Sequence, residues 1–565
     1  MSILKKALKQ KNNRVAIFLL IGCILSPIIL AWPGWTPDDT GFQLSVIKYR
    51  PFVFSKWSYI EHNAGDRFFP LAFSGHQLVS YLSFSIEAFF IYNYLLAFLS
   101  ISILLYITIR FFPRFWYFPI LIVFTPTFVD SYYIIVNHEK EIFFLWSLFL
   151  FLFLLLKSNN QSRHSNLIFL SLIPANLVLY FKETGFIILI SFVIACFLRY
   201  RKSVADTTDS KNGKNSLAKR IQLLLFLLFL SGLAFAVQYL IFARFGGQDS
   251  YLRTLTPQLT FLGRIMYSIK AFALFVISDP LPVVVLPLLL VAAHIVSRRL
   301  KTIEHNSISY LQNLPVLDSL AIASLSFVFS YVALGIHQNR YLLPAYPFAM
   351  LAIAGYSTIL TRYRFHLVPK TLKIYIVLAV FLLIFNSMIS SVNLSVFHRV
   401  IAHNFKQFNK VLLEKIEDRI QMSNDKDLIR IYIAGKTIDG FSYASDRQLD
   451  FLKVFGVDIT KLQFLYAEGT KNWILPYSSK ENECSDVKKG DLILVFPNSI
   501  IPMREILKNL QEIPLRDILK TESHNYFELP EFRHVIKRIM LAIKPTLIGS
   551  RMVYREVDFI IYEVE

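Results

Sequence analysis

A series of apolar runs, each near the length that crosses a lipid bilayer, constrains this chain more than any other feature. They cover Val15 to Leu30, Phe89 to Ile109, Phe115 to Val136, Ile142 to Leu156, Leu167 to Phe181, Phe186 to Leu198, Ile221 to Phe242, Leu281 to Val296, Leu317 to Ile336, Leu342 to Leu360 and Ile374 to Val392. A hydrocarbon core of about 30 Å takes about 20 helical residues, so the pattern predicts about eleven transmembrane helices in a mainly α, polytopic membrane protein. The first run follows Lys5, Lys6, Lys9, Lys11 and Arg14 and ends in Trp32-Pro33-Gly34-Trp35 without a small-residue cleavage site. It reads as a retained signal anchor.

The net charge of +20 is explained by topology. Lys and Arg gather in short segments between the runs, and those segments fall on alternate sides: Arg110 and Arg114, Lys157 and Arg163, the run from Arg199 to Arg220, Arg298 to Lys301, and Arg362 to Lys373. This is the cytoplasmic side, and nucleic acid is not a partner. The alternation requires Leu167 to Phe181 and Phe186 to Leu198 to form a hairpin, and lays the amphipathic stretch Arg264 to Ser278 along the outer interface. The three cysteines, Cys23, Cys196 and Cys484, form neither a metal-binding pattern nor a disulfide framework.

An inner N-terminus and an odd number of crossings put everything after Val392 outside the cytoplasm. Residues 1–392 thus form the membrane domain, with a first outer loop at 31–88, and residues 393–565 an extracytoplasmic soluble α/β domain. In the latter, LIRIYIAG (428–435), DLILVFP (491–497) and REVDFIIYEV (555–564) read as strands, Phe397 to Met422 and Met503 to Leu510 as helices. Its residues suggest no catalytic constellation.

The outer segments hold the charges that carry chemistry. In GWTPDDTGFQ (34–43), Thr36 and Pro37 start a helix, and Asp39 can complete a capping box. Asp38 is not needed by the cap and is free to point elsewhere. The helical spacing that follows, with Lys48, Arg50 and Lys56, suits a surface helix whose cations meet anionic lipid. VNHEKEIFF (136–144) is so short that Glu139 and Glu141 sit at the level of Asp38, where two carboxylates could share a divalent cation or position a hydroxyl. Glu141 reads as a solvated charge at a helix N-terminus, whereas Glu139 is as well suited to chemistry as to that role. Lys182-Glu183 of YFKETGF is either a turn pair or a functional pair. Asp66-Arg67 and His337-Arg340 lie at the same level. Arg340 can snorkel to the interface or hold a lipid phosphate in its planar guanidinium.

A cytoplasmic N-terminus, one span, a long outer loop opening with Pro37-Asp38-Asp39, a second carboxylate at Glu139, Lys182-Glu183, a later Arg340-Tyr341-Leu342-Leu343-Pro344 and a soluble outer tail resemble the GT-C glycosyltransferases. The likeness is to the branch of protein O-mannosyltransferases and lipid A aminoarabinose transferases, and it covers residues 1 to 392. Asp39 stands where Glu is common, and Glu139 where the aminoarabinose enzymes have Asp. The resemblance implies a multi-pass protein of a bacterial inner membrane that moves a sugar from a polyprenyl or dolichyl phosphate to a hydroxyl of a lipid, glycan or protein acceptor, with inversion. It implies Asp38, Asp39 and Glu139 as catalytic residues, Arg340, Lys182 and Arg67 around the donor phosphate, and Asp38 with Glu139 as the ligands of any magnesium or manganese ion.

Two other classes fit a polytopic chain. A glycolipid flippase or transporter calls for midplane charges and inverted repeats, neither of which is evident. A surface-glycan polymerase or ligase calls for a large outer loop late in the membrane region.

Overall fold

The computed structural model describes residues 34–36, 44, 47–48, 70–158, 166–205, 213–245, 261–303, 314–336, 338–362, 370–422, 428–434, 448–449, 451–465, 487–497, 507, 510–511, 513–521, 528–532, 534 and 557–565. It is mostly helical, with one small mixed sheet. The helices in order are α1 (Ser74–Leu82), α2 (Ile86–Phe111), α3 (Pro126–Tyr133), α4 (Glu139–Ser158), α5 (Asn166–Phe181), α6 (Gly185–Ala205), α7 (Gly213–Phe245), α8 (Phe261–Ser278), α9 (Leu286–Ile303), α10 (Leu314–Ala333), α11 (Tyr346–Arg362) and α12 (Lys370–Met422). Among the described residues five helices are long and apolar enough to cross a membrane, or six when α8 and α9 count as one bent span. The protein is a multi-pass membrane protein. Helix α4 packs between α2 and α5, α6 packs along α10, and α11 closes against α9 and α10.

Local chemistry explains how single helices begin and break. Ser85 caps α2 by accepting the Ala88 N–H at 3.2 Å, and Glu87 and Arg110 lie at the ends that the helix dipole favours. Around Lys182, where a hairpin is expected, α5 and α6 are separate helices joined by a short turn, the Gly185 N–H donating to the Lys182 carbonyl at 2.9 Å. Gly185 makes that turn, because a Cβ there would lie 2.5 Å from Val178 Cγ1.

The span expected over Phe115 to Val136 is not one helix. It is a 3-10 turn at Phe118–Phe124 followed by α3, with Thr125 extended between them as the α3 cap. Pro119 and Pro126 lack the N–H groups a continuous helix would need. The run Leu342 to Leu360 likewise opens with a 3-10 segment, Asn339–Ala345, before α11. Helix α8, expected to lie along the interface, meets the following helical segment at 106°.

The expected span Ile374 to Val392 and the expected tail helix Phe397 to Met422 are one 53-residue helix, α12, about 80 Å long at 1.5 Å per residue. Its first half exposes Phe381, Phe385 and Val392, the surface a lipid environment accepts. In its second half Phe405, Phe408, Leu412 and Ile416 are buried, a helical stripe that covers a five-stranded sheet. Rings of Phe405 and Phe408 lie 5.5 and 5.2 Å from Phe559.

The sheet holds β1 (Ile429–Ala434), β2 (Leu462–Leu465), β3 (Leu492–Val495), β4 (Leu515–Lys520) and β5 (Ile560–Val564) in the order β2-β1-β3-β5-β4. Strands β2, β1 and β3 are parallel, and β5 pairs antiparallel with β3 and β4. The three strands read from the sequence are all present. The short β2 and the charged β4 carry no comparable apolar run. Of the helix expected at Met503 to Leu510, only Leu507 and Leu510 lie within the described residues.

Candidate active site

The site is built at the N-terminal end of α4. Asn137 caps this helix, its Oδ1 accepting the Glu139 N–H at 2.8 Å. The first three residues of the helix, Glu139, Lys140 and Glu141, are at most 4% exposed. Three consecutive buried charges require partners, and each has them. Glu139 Oε1 receives Lys182 Nζ at 2.7 Å. Lys140 Nζ donates to the carbonyls of Ile134 and Ile135 at 2.8 and 2.7 Å. Glu141 Oε1 lies 3.0 Å from His76 Nδ1 and accepts the Tyr92 hydroxyl at 3.3 Å.

Glu141 is therefore not the solvated charge expected from the sequence. The α1 and α2 residues beneath it are placed to receive it. His76 Nε2 lies 3.0 Å from the Ile135 carbonyl, which sets the ring between that carbonyl and Glu141. Gly75 allows the approach, since a Cβ there would fall 1.9 Å from the Tyr92 hydroxyl oxygen and 3.0 Å from Glu141 Oε1.

The RYLLP motif closes the other flank. The Lys182 ammonium sits 4.0 Å from the centroid of the Tyr341 ring, and the Arg340 guanidinium carbon 5.4 Å from it. Tyr341 stacks on Tyr331 at 5.4 Å, which ties the 3-10 segment to α10. Helix α3 suspends that segment by its backbone. Thr127 Oγ1 donates to the Asn339 carbonyl at 2.8 Å, Asp130 Oδ2 accepts the Arg340 N–H at 3.3 Å, and Ser131 Oγ donates to the Arg340 carbonyl at 3.4 Å. Asp130 is fixed in turn by His398 of α12, whose Nε2 lies 3.1 Å from Asp130 Oδ1. These bonds fix the backbone of Arg340, and its guanidinium lies over the Tyr341 ring.

The structure thus brings together Glu139, Lys182 and Arg340, three expected site residues far apart in sequence. Asp38, Asp39 and Arg67 lie outside the described residues, as do Asp66 and His337. Just before the PDD motif, Thr36 is buried and the Trp35 ring lies 5.8 Å from Phe89, itself 6.0 Å from His76. Lys48, expected to meet anionic lipid, instead donates to the Val454 carbonyl in the segment before β2.

Sequence reading missed His76, Tyr92, Asp130 and His398. Asp130 had a signal: a carboxylate inside an apolar run is costly in a membrane and marks a site. His76 had none, because its partner is 65 positions away.

A metal at Glu139 meets a competitor, for Lys182 already occupies the face of Oε1 with a full positive charge. A different group, Glu528, Glu531 and His534, offers three ligand atoms within 4.8 Å of one another. Its bonds fit a docking contact. The Glu531 oxygens accept Asn393 Nδ2 at 3.0 Å and the Ser390 hydroxyl, and His534 Nδ1 faces the Glu531 N–H at 3.4 Å. That puts the imidazole proton on Nε2, toward Glu528 Oε2 at 3.0 Å, where a metal would need a lone pair. With Phe532 N–H donating to Asn386 Oδ1 at 2.7 Å, the segment is held on the polar stripe of α12.

No protein-family model and no curated protein matches this chain. Among solved structures it is similar to a crystal structure of ArnT from Cupriavidus metallidurans bound to undecaprenyl phosphate, with 98% of each chain covered, 11% identity and a TM-score of 0.41. A likeness of that size carries no argument about chemistry, which rests on the residues themselves.

Proposed function

We propose that this protein is a membrane glycosyltransferase that moves a sugar from a polyprenyl phosphate to an acceptor hydroxyl on the extracytoplasmic side, with inversion. The observation that carries the reading is the buried Glu139–Lys182 ion pair, 2.7 Å long, set against Tyr341 beside Arg340. It gathers cationic groups from the KET and RYLLP motifs at the end of a helix bundle. Such a group suits the charge of a lipid phosphate.

The donor already carries a good leaving group. The protein has to deprotonate the acceptor, stabilise the departing phosphate and hold the reacting atoms in line. Asp38 takes the acceptor proton as the acceptor oxygen bonds to the anomeric carbon. The bond from that carbon to the phosphate oxygen breaks on the opposite face, which inverts the centre. Arg340 and Lys182, with Arg67, stabilise the released lipid phosphate. An ammonium has three N–H donors, and Glu139 takes one of those of Lys182. Glu139 thereby acts as a positioning residue, fixing the direction of the ammonium. No step calls for a metal ion.

The test is Asp38→Asn, which keeps size and removes the base. Sugar transfer from polyprenyl phosphate in membranes is expected to fall by about 10²- to 10⁴-fold at unchanged expression. Unaltered transfer overturns the assignment.

A further inference from the structure

A shallow cleft of about 310 Å³, wide open to solvent, lies where the last turn of α12 meets the start of β1, the turn before β3 and the end of β5. Arg419, Arg430, Lys489, Asp491 and Glu563 line it, with Met422 as an apolar wall. On an ordinary solvated face such side chains keep their rotamer freedom. Four of these five are already fixed. Arg419 Nη2 donates to Glu563 Oε1 at 2.8 Å, and the other Glu563 oxygen takes Arg516. Asp491 Oδ2 accepts the Lys488 N–H at 2.7 Å and lies 3.7 Å from Arg430 Nε. Ordering side chains is a cost of binding, and here folding has met it.

The lining carries three cations against two carboxylates. Lys489 supplies the surplus, on a turn closed by Gly490 at φ +87°, and among the described residues it has no ion-pair partner. Fixed guanidinium donors alternating with fixed carboxylate acceptors match a polyhydroxyl ligand, and the surplus cation matches one negative charge.

We propose that this cleft binds an acidic saccharide, a sugar bearing a carboxylate or a phosphate. That the saccharide belongs to the acceptor rests on the transferase reading; its binding does not. From His398, beside Asp130, to Arg419 the unbroken helix α12 rises about 32 Å. An acceptor held in the cleft while reacting at the site is therefore extended, a polymer and not a single small molecule.

The full-length protein in detergent micelles is titrated with glucuronate, glucose 1-phosphate and, as neutral control, glucose, with binding read by saturation-transfer NMR. At least one acid is expected to bind about tenfold or more tightly than glucose, and Lys489→Glu to weaken that acid about tenfold, because a charge-assisted contact is replaced by a repulsive one. Which acid binds tells carboxylate from phosphate. Lys489→Gln is expected to give a smaller loss, and added salt to weaken the acid but not glucose. Asp38→Asn is expected to leave binding unchanged while transfer is lost, so the two readings fail separately. Equal binding of acids and glucose, or acid binding untouched by Lys489→Glu in protein with an unchanged unfolding midpoint, overturns the proposal.

Discussion

Two ion pairs of nearly equal length stand in opposite surroundings. Lys182 meets Glu139 at 2.7 Å with both side chains at most 4% exposed, and Arg419 meets Glu563 at 2.8 Å with both near 20% exposed. Coulomb attraction at that separation scales inversely with the local dielectric, so the first pair interacts far more strongly. It also pays far more desolvation. The buried pair is therefore poor evidence of net stability, though breaking it is severe, because the survivor is a charge with no water to turn to. The half-wet pair can be broken cheaply. Distance alone does not tell what an ion pair does.

The largest effect expected from this contrast is at the buried pair. Lys182→Met takes from the buried Glu139 carboxylate its closest cation, leaving His138 Nε2 at 3.8 Å, and should cost about 3–5 kcal/mol, read as a lower unfolding midpoint of the protein in detergent. The double variant Lys182→Met, Glu139→Gln removes both charges and should recover much of that loss. If it fails to, the two residues do not act as a pair.

Next comes the neighbouring packing. Gly75→Ala places a methyl group where the Tyr92 hydroxyl lies, 1.9 Å away, and is expected to cost about 1–3 kcal/mol by driving Tyr92 off Glu141. Tyr92→Phe in the same background should relieve part of it.

Arg419→Ala should cost no more than about 1 kcal/mol, and the difference from wild type should shrink as salt is raised from 0.05 to 0.5 M, roughly. A loss that salt does not touch would show that the pair is drier than its exposure indicates.

The smallest effect is in pH. Partial burial works to raise the Glu563 carboxyl, but hydrogen bonds from Arg516 and Arg419 outweigh it and hold its pKa below the ordinary carboxylate value. A group depressed in the folded state contributes stability above its unfolded pKa and loses it as pH falls through the folded one. Wild type should thus lose a small stability increment relative to Glu563→Gln below about pH 4, and the two unfolding curves should converge in acid.

The strands LIRIYIAG, DLILVFP and REVDFIIYEV were legible because a buried strand announces itself in a short apolar run. The break between α5 and α6 was legible because the basic segments on their outer flanks call for a turn between them. The break at Thr125 was harder, since hydropathy alone cannot tell a continuous helix from two short ones broken at a proline, although Pro119 and Pro126 were the available signal. The continuity of α12 could not be seen in composition: the segment changes from apolar to polar near Val392, and a helix can change solvent without changing conformation. Within the site, Glu139, Lys182 and Arg340 could be picked out as charges at membrane depth. Their mutual arrangement could not, nor could the burial of Glu141 on His76.

By itself the sequence determined that this chain lives in a bilayer, which of its segments are apolar enough to be candidates for crossing it, and which few charges stand at their ends, because hydrocarbon length and the expense of charge are properties of individual segments. Only the tertiary structure decided that Lys182 turns to Glu139 under Tyr341, that Asp130 and His398 hold the backbone of Arg340, and that one helix serves both bundle and sheet. Those outcomes depend on which surfaces exclude water from each other, and that is a property of pairs of segments, written in neither one alone.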